Sequence, residues 1–359
     1  MKTSVKQNSP GNDRVVAGLE RVLARARLGG IRAVGVVFAE HMSAEAVYFG
    51  DENARPSICF GIDLFKLSIL NDVIRVHDPR QPPPANVVSY DFKLDPISFD
   101  FIPWLATAEM VRRRERAAAP LRVAFINPQG VEQRVSGGIK FIENVIRPAL
   151  ALFGAVEGVQ GEHARHQGFA GLREVERAHA QGEAVPQLSV PEVAMSEVRS
   201  RLQGRQPVTF TFRETGMHAR RNSDLEEWHK LAMWLCQKGE DVIIVRDTAK
   251  ARESFPGFEV YPEASLNLHT RAALYSQAKC NLCVQNGPFA LLPHTQTPWL
   301  MFASVNEDEP EECNRPDNWR MCIPTNAEGQ LPWATFQQRI IYGPDKYDTM
   351  RTAYETLCL

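Results

Sequence analysis

In the second half of the chain, short apolar runs alternate with stretches whose apolar residues recur every three to four positions. PVTFTF (207–212), DVIIV (241–245), NLCVQ (281–285) and PWLMFA (298–303) have the length and the β-branched or aromatic character of buried strands. Between the first two, Leu225, Leu231, Met233, Trp234 and Leu235 give DLEEWHKLAMWLCQKG the apolar side of a helix that Gly239 stops. Ser223 or Asn222 is placed to cap this helix, with Glu226 completing a capping box with Ser223. A second helix is expected at about 268–279, ahead of the strand at 281–285. Apolar strands separated by helices are how a Rossmann-like α/β domain is written.

The first half carries a weaker version of the same alternation. A helix is expected over 14–28, a strand over 32–38 and a short apolar run near 57–60, while 62–76 fits either helix or strand. Gln81-Pro82-Pro83-Pro84 must be extended, because proline fixes φ and disfavours helix in the residue before it. Strands are expected at 87–92 and 121–126, and helices at 97–116 and about 139–152, the former with an arginine-rich end suited to a helix C-terminus. Residues 160–206 turn polar, with Pro186, Pro191 and Pro207 as punctuation. They read as a surface helix, carrying His163 and His166 on its solvated face, followed by an interdomain crossing. The C-terminal stretch 334–357 shows helical periodicity broken near Gly343-Pro344. The expected division is therefore an N-terminal α/β domain over 1–200, a Rossmann-like domain over 201–335, and a closing helix over 336–359 packed back on the first lobe.

Composition removes several classes. With 359 residues, 44% of them hydrophobic and 23% charged, the chain can bury a core in each of two domains, so collagen, rod and wholly disordered readings fail. Lys and Arg number 41 against 43 Asp and Glu, a formal charge of −2, which argues against a dedicated nucleic-acid binder. No apolar run approaches a membrane span and the first thirty residues lack a signal-peptide core, so the expected address is the cytoplasm. A peripheral contact with a membrane stays open. The seven cysteines read as free thiols in a reducing compartment. Cys280 and Cys283 fall in a strand, where residues three apart face opposite ways, which fits buried structural thiols better than a metal or redox pair.

Missing motifs prune the chemistry further. There is no G-x-x-x-x-G-K-[ST], no G-x-G-x-x-G after a strand, no H-E-x-x-H and no G-x-S-x-G, against a P-loop NTPase, a dinucleotide dehydrogenase, a zincin and an α/β-hydrolase in turn. D-x-D, a common holder of metal-bound diphosphate, is also missing. In open α/β sheets, ligands bind at the carboxyl ends of the strands. Those ends here carry Arg213, Glu214, Thr215, His218, Arg220 and Arg221 after the first strand of the later domain. Arg246, Asp247 and Thr248 follow the second, and Asn286, Gly287 and Pro288 follow the strand at 281–285. Guanidiniums converging there can neutralise a diphosphate without a metal, since arginine offers planar, always-charged forks of donors. Gly287 can let backbone N–H groups approach an anion, with the positive end of a following helix behind them. The alternative is that these arginines are solvated and pair with Glu214, Asp224 and Glu226. In the first half, Asp91, Asp95 and Asp100 cluster after a strand. Asp95 and Asp100 are candidates for a catalytic base, with capping of the following helix the favoured alternative, and the Gly137-Gly138 loop is either a second place where a ligand can enter or a plain connection. The acidic run at 307–312 reads as a solvated loop.

The run VQNGPFALLPHTQTPWLMF (284–302) resembles the last large strand–loop–helix–strand of GT-B sugar transferases of the heptosyltransferase kind. There a polar-Gly-Pro loop, usually Asp-[Thr/Ser]-Gly-Pro-Met-His, lies over the nucleotide-sugar diphosphate. This chain keeps Gly287-Pro288 but has Gln285-Asn286 before it and Phe289-Ala290 after it. TFRET (211–215) is similar to the strand-end arginine peptide of GT-B fucosyltransferases, in which that arginine binds the donor diphosphate. The likeness covers about residues 205–305, and by pattern extends to bacterial proteins assigned as glycosyltransferases.

The resemblance implies two Rossmann-like lobes of GT-B type with an interlobe cleft, and metal-independent transfer of a sugar from a nucleoside-diphosphate donor to a glycan or other acceptor hydroxyl, in bacterial surface-glycan synthesis. Arg213 would hold the diphosphate and serve catalysis, with Arg220, Arg221, Asp247, Asn286, Gly287 and Pro288 lining the donor site and no cofactor needed. Two rivals remain: a sugar-nucleotide epimerase on the same frame, and a catalytically degenerate binding or assembly protein.

Overall fold

Strands made of apolar residues alone need cover on both faces, and the computed structural model supplies it for the region from Val87 onward. It describes residues 34–36, 47–49, 84–159, 164–167, 172–216, 219–305, 315–316, 319–320 and 323–357. The expected elements at 14–28, 57–60 and 62–76, together with His163, His218 and the acidic run at 307–312, lie outside them. The chain separates into two units, Met1–Pro84 with His163–His166, and Ala85–Glu162 with Gln167–Leu359.

In the first unit, β1 (Val34–Val36) and β2 (Val47–Phe49) pair antiparallel. In the larger unit, β3 (Val87–Asp91) leads to α1 (Phe101–Arg114), whose residues 101–110 are all buried, and then to β4 (Arg122–Ile126), which lies parallel to β3. Helix α2 is built from Gly138–Phe141, a π turn at Ile142–Ile146, and Arg147–Leu152. β5 (Val156–Glu157) then adds to β4, again in parallel. The strand β6 (Arg165–His166) belongs to the first unit, so His166 sits in a strand and not on the expected helix face. The crossing supplies α3 (Leu172–Ala180) and α4 (Glu192–Leu202).

The second sheet comprises β7 (Val208–Thr211), β8 (Val242–Val245), β9 (Glu259–Val260), β10 (Cys280–Val284), β11 (Trp299–Ala303) and β12 (Gln338–Tyr342). All neighbours are parallel, in the order β12-β11-β10-β7-β8-β9. Helix α5 (Leu225–Gln237) follows β7 and packs Trp228, Leu231, Ala232 and Leu235 onto one face, at the spacing a helix dictates. Helix α6 (Leu268–Gln277) precedes β10 and packs on the other face. The stretch after Ala334 is not helical at first: QRIIY is a strand, because its neighbour β11 offers a free parallel edge that local periodicity cannot show. The closing helix α7 (Tyr347–Leu357) seats Met350, Ala353 and Tyr354 in the core of the later sheet with Trp228 and Leu231.

The architecture is therefore α/β with two parallel sheets, of three and six strands within this unit, in the manner of two Rossmann-like lobes. One apolar core joins them, running from Val88, Phe101 and Trp104 to Cys283, Trp299 and Met301. Leu188 N–H donates to His294 O (2.8 Å) and His269 Nε2 meets Pro148 O (2.7 Å) across the same join.

Candidate functional site

Reading the strand order from β7 outward, β8 and β9 lie to one side and β10, β11 and β12 to the other. The chain leaving β7 turns into α5 on one face, while the chain leaving β10 turns into the 3-10 segment Gly287–His294, whose Phe289, Leu291 and Leu292 join the core on the other face. The carboxyl ends of β7 and β10 therefore part at a topological switch point, where a crevice for a ligand arises.

Arg213 stands at this point, half-buried, two residues past the end of β7. Its backbone is held on both sides. Ser223 Oγ accepts from Arg213 N–H (3.0 Å), and Ser223 N–H donates to Arg213 O (2.9 Å). This use of Ser223 displaces the expected capping box: the cap position of α5 is Asp224. Asn222 bonds Thr215 through both its amide oxygen and its amide nitrogen, closing the loop. Arg221, also half-buried, reaches the end of β10 and donates from Nη2 to Gln285 O (3.2 Å). Arg220 is exposed on the 3-10 turn Ala219–Arg221.

On the β10 side, Asn286 donates from Nδ2 to Thr211 O (3.2 Å) and accepts at Oδ1 from Phe289 N–H (3.0 Å). Its side chain ties the two strand ends together and starts the 3-10 segment. Gly287 and Pro288 open that segment. A Cβ on Gly287 would stand 2.5 Å from Phe99 Cδ2, so only glycine admits the ring at this distance. Phe99 belongs to the loop that leaves β3. The carboxyl edges of the two sheets thus face one another, with Phe99 of the first lying on Gly287 of the second. Asp100, next to Phe99 in the chain, is exposed by area yet stands among enough protein that desolvation raises its carboxyl pKa, with the Ser98 hydroxyl (2.6 Å) pulling the other way. A group that keeps its water at a rim feels a limited push of this kind.

Asp95 is placed differently from Asp100. It is buried, and its Oδ2 accepts from Asp91 N–H (2.7 Å), pinning the turn after β3. Asp91 is buried too and holds Asn127 Nδ2 through both carboxylate oxygens, at 2.7 and 2.9 Å. Neither Asp95 nor Asp100 caps α1 through its side chain. Asp247 Oδ2 accepts from Glu214 N–H (3.3 Å). Arg246 is committed elsewhere: its guanidinium, 5% exposed as a residue, grips Glu214 from Nε and Nη2 and bonds Ser254 O (2.8 Å) from Nη1. The structure thus sets the loop of Arg213 and Arg221 beside the Asn286-Gly287-Pro288 turn at the ends of β7 and β10, lays Phe99 on Gly287, and puts Asp95 inside a turn. Sequence reasoning missed Phe99 and the double use of Ser223; no local pattern marks either. Cys280 and Cys283 are both buried in β10, and burial holds the Cys283 thiol well above its ordinary pKa. Among the described residues no group of three or more His, Cys, Asp or Glu could hold a metal, and no helix is long and apolar enough to cross a membrane.

No family model and no curated protein matches the chain. Among solved structures it is similar to the E. coli heptosyltransferase WaaC, with 14% identity over 75% of this chain and 98% of that one, at a TM-score of 0.41. It is also similar to TibC, an iron-containing dodecameric glycosyltransferase of enterotoxigenic E. coli, with 14% identity over 84% of this chain and 71% of that one, at a TM-score of 0.38. A glycosyl transferase family 9 protein of Veillonella parvula matches with 10% identity over 76% of this chain and 96% of that one, at 0.41. The class of fold rests on the two parallel sheets themselves.

Proposed function

We propose that the chain is a glycosyltransferase that moves a sugar from a nucleoside-diphosphate donor to an acceptor hydroxyl, with arginine side chains taking the charge of the departing diphosphate. The observation that carries this reading is the placing of Arg213 at the switch point of the six-stranded sheet, opposite the Phe99-Asp100 rim of the other sheet. Negative charge collects on the leaving phosphate as the glycosidic bond breaks, and preorganised cations aimed there supply the main stabilisation. Arg213 takes the diphosphate, Arg221 assists from the facing side, and exposed Arg220 can swing in as the donor enters. Asp247 and the Asn286-Gly287-Pro288 turn line the same crevice, mainly by fixing its walls. Asp100 is the base that removes the acceptor proton: it is solvent-accessible, and its raised pKa moves it towards the range where a general base works. Asp95 supports that loop from within. The reaction belongs with the assembly of bacterial surface glycans.

Two observations favour a second reading. Phe99 covers Gly287, and Arg221 is engaged by Gln285 O, which suits a protein that keeps the frame for binding or assembly and has given up transfer. Thermal unfolding with ADP, GDP and UDP, followed by diphosphate release from the matching sugar nucleotides, separates the two. Binding and release that Arg213→Ala abolishes are the expected result. Absence of any thermal shift and of turnover overturns the transferase reading. Release of diphosphate only when acceptor is present excludes an epimerase.

A further inference from the structure

The residue after Arg213 keeps its carboxylate away from solvent. Glu214 has a side chain 4% exposed, and its two oxygens meet Arg246 Nε (3.0 Å) and Nη2, a bidentate pair inside the protein. Arg246, 6% exposed in its side chain, spends its remaining donors on Ser254 O (2.8 Å) and Glu253 O (3.4 Å). Glu214 N–H in turn reaches Asp247 Oδ2 (3.3 Å), and Lys250 Nζ lies 3.7 Å from Glu214 Oε1. The contacts of Glu214 with Arg246, Asp247 and Lys250 join the loop after β7 to the loop after β8, and those of Arg246 with Glu253 and Ser254 hold the second loop together. Burying two charges is costly, and such a pair does little for stability compared with apolar residues of the same size. What a bidentate guanidinium–carboxylate pair does offer is fixed geometry. Here it fixes the peptide next to Arg213, while Ser223 fixes Arg213 from the other side.

We infer that Glu214 and Arg246 are positioning residues for the diphosphate site: their ion pair clamps the strand-end loop so that the Arg213 guanidinium is already aimed when the anion arrives. This rests on the reading of Arg213 as the diphosphate ligand. Without the clamp, the loop after β7 must be ordered by the ligand itself, which weakens binding of the phosphates.

The test is calorimetric titration of ADP, GDP and UDP into the wild-type chain, Glu214→Gln, Arg246→Lys and Thr209→Val. The last variant loses a buried hydrogen bond in the middle of β7 and reports destabilisation alone. The expected result is a diphosphate affinity about tenfold weaker in Glu214→Gln and in Arg246→Lys, and unchanged in Thr209→Val. Placed on an Arg213→Lys background, Glu214→Gln then weakens binding by less than about twofold, because the aimed group is gone. If Glu214→Gln does not fold, Arg246→Lys, which keeps the charge but not the fork, decides the matter on both backgrounds. Wild-type binding with unaltered affinity in the clamp variants overturns the positioning role and leaves Arg213 in place. Equal losses with and without Arg213 show a general disturbance and also overturn it. No binding by the wild-type chain removes the reading of the site, and the clamp with it.

Discussion

Gly287→Ala isolates the contact that brings the two sheet edges together. Gly287 lies outside the left-handed region, so alanine meets no backbone strain there, and by chain entropy alone the change would stabilise the fold by about 0.4–1 kcal/mol. The new Cβ, however, would stand 2.5 Å from Phe99 Cδ2, 3.2 Å from Cγ and 3.3 Å from Cε2. The ring has little room to yield, since it rests edge-on against Phe141 with centroids 5.5 Å apart and packs on the core shared by both sheets. Overpacking of this sort costs about 1–3 kcal/mol, so the net expectation is a loss of roughly 1–2 kcal/mol. Removing the ring removes the clash. On a Phe99→Ala background, Gly287→Ala is expected to be neutral or stabilising by a few tenths of a kcal/mol, giving a coupling of roughly 1–3 kcal/mol between the two sites. Urea unfolding of the four proteins measures it from the midpoints at constant m-value. A penalty for Gly287→Ala that persists in full without the Phe99 ring refutes the argument, and with it the facing of the two edges on which the functional reading stands.

Three further outcomes follow from the same geometry. His294 is wholly buried, with Nδ1 at 2.9 Å from Pro186 O, and burial lowers its pKa from 6.5 to about 4. Between those values the unfolded chain binds the extra proton, so stability rises with pH through that window and is lost as pH falls through it, by roughly 3 kcal/mol in full. Urea midpoints from pH 4.5 to 7 should flatten in His294→Leu, and an unaltered slope contradicts the assignment. Thr209→Val leaves Asn281 Oδ1 buried without the hydroxyl that now meets it at 2.6 Å, and should cost about 1–3 kcal/mol in thermal or chemical unfolding; a change near zero means that the strand pair rearranges. Asp100→Asn should lower turnover by about 100-fold or more while sparing diphosphate affinity, and abolish the acid limb of the wild-type pH–rate profile, along which activity rises as Asp100 loses its proton. Retention of that limb assigns the base to another group.

Local pattern was sufficient for the elements whose physics is local. The buried strands β7, β8, β10 and β11 appear within a residue or two of their apolar runs, since a stretch such as DVIIV has no stable exposed conformation. The same holds for α5 and α6, and for the buried thiols of β10. Pattern failed at QRIIY, which becomes a strand because β11 lies beside it, and at Ser223, whose hydroxyl serves a strand end ten residues earlier in place of its own helix.

The candidate site divides in the same way. That Arg213, Arg246 and Asn286 fall at strand ends is a matter of chain order, and sequence alone determines it. That Arg246 is neutralised within the fold was settled only by tertiary structure. Arg246 and Arg213 have the same strand-end placing, yet Arg246 is locked onto buried Glu214. Gly287, whose value in the sequence lay in letting an anion approach, is held against Phe99 from a segment almost two hundred positions away. Spacing along a chain fixes periodicity and faces, because these depend on neighbours; the partner of a charge or a ring depends on strand order and packing, which no stretch of a few residues encodes.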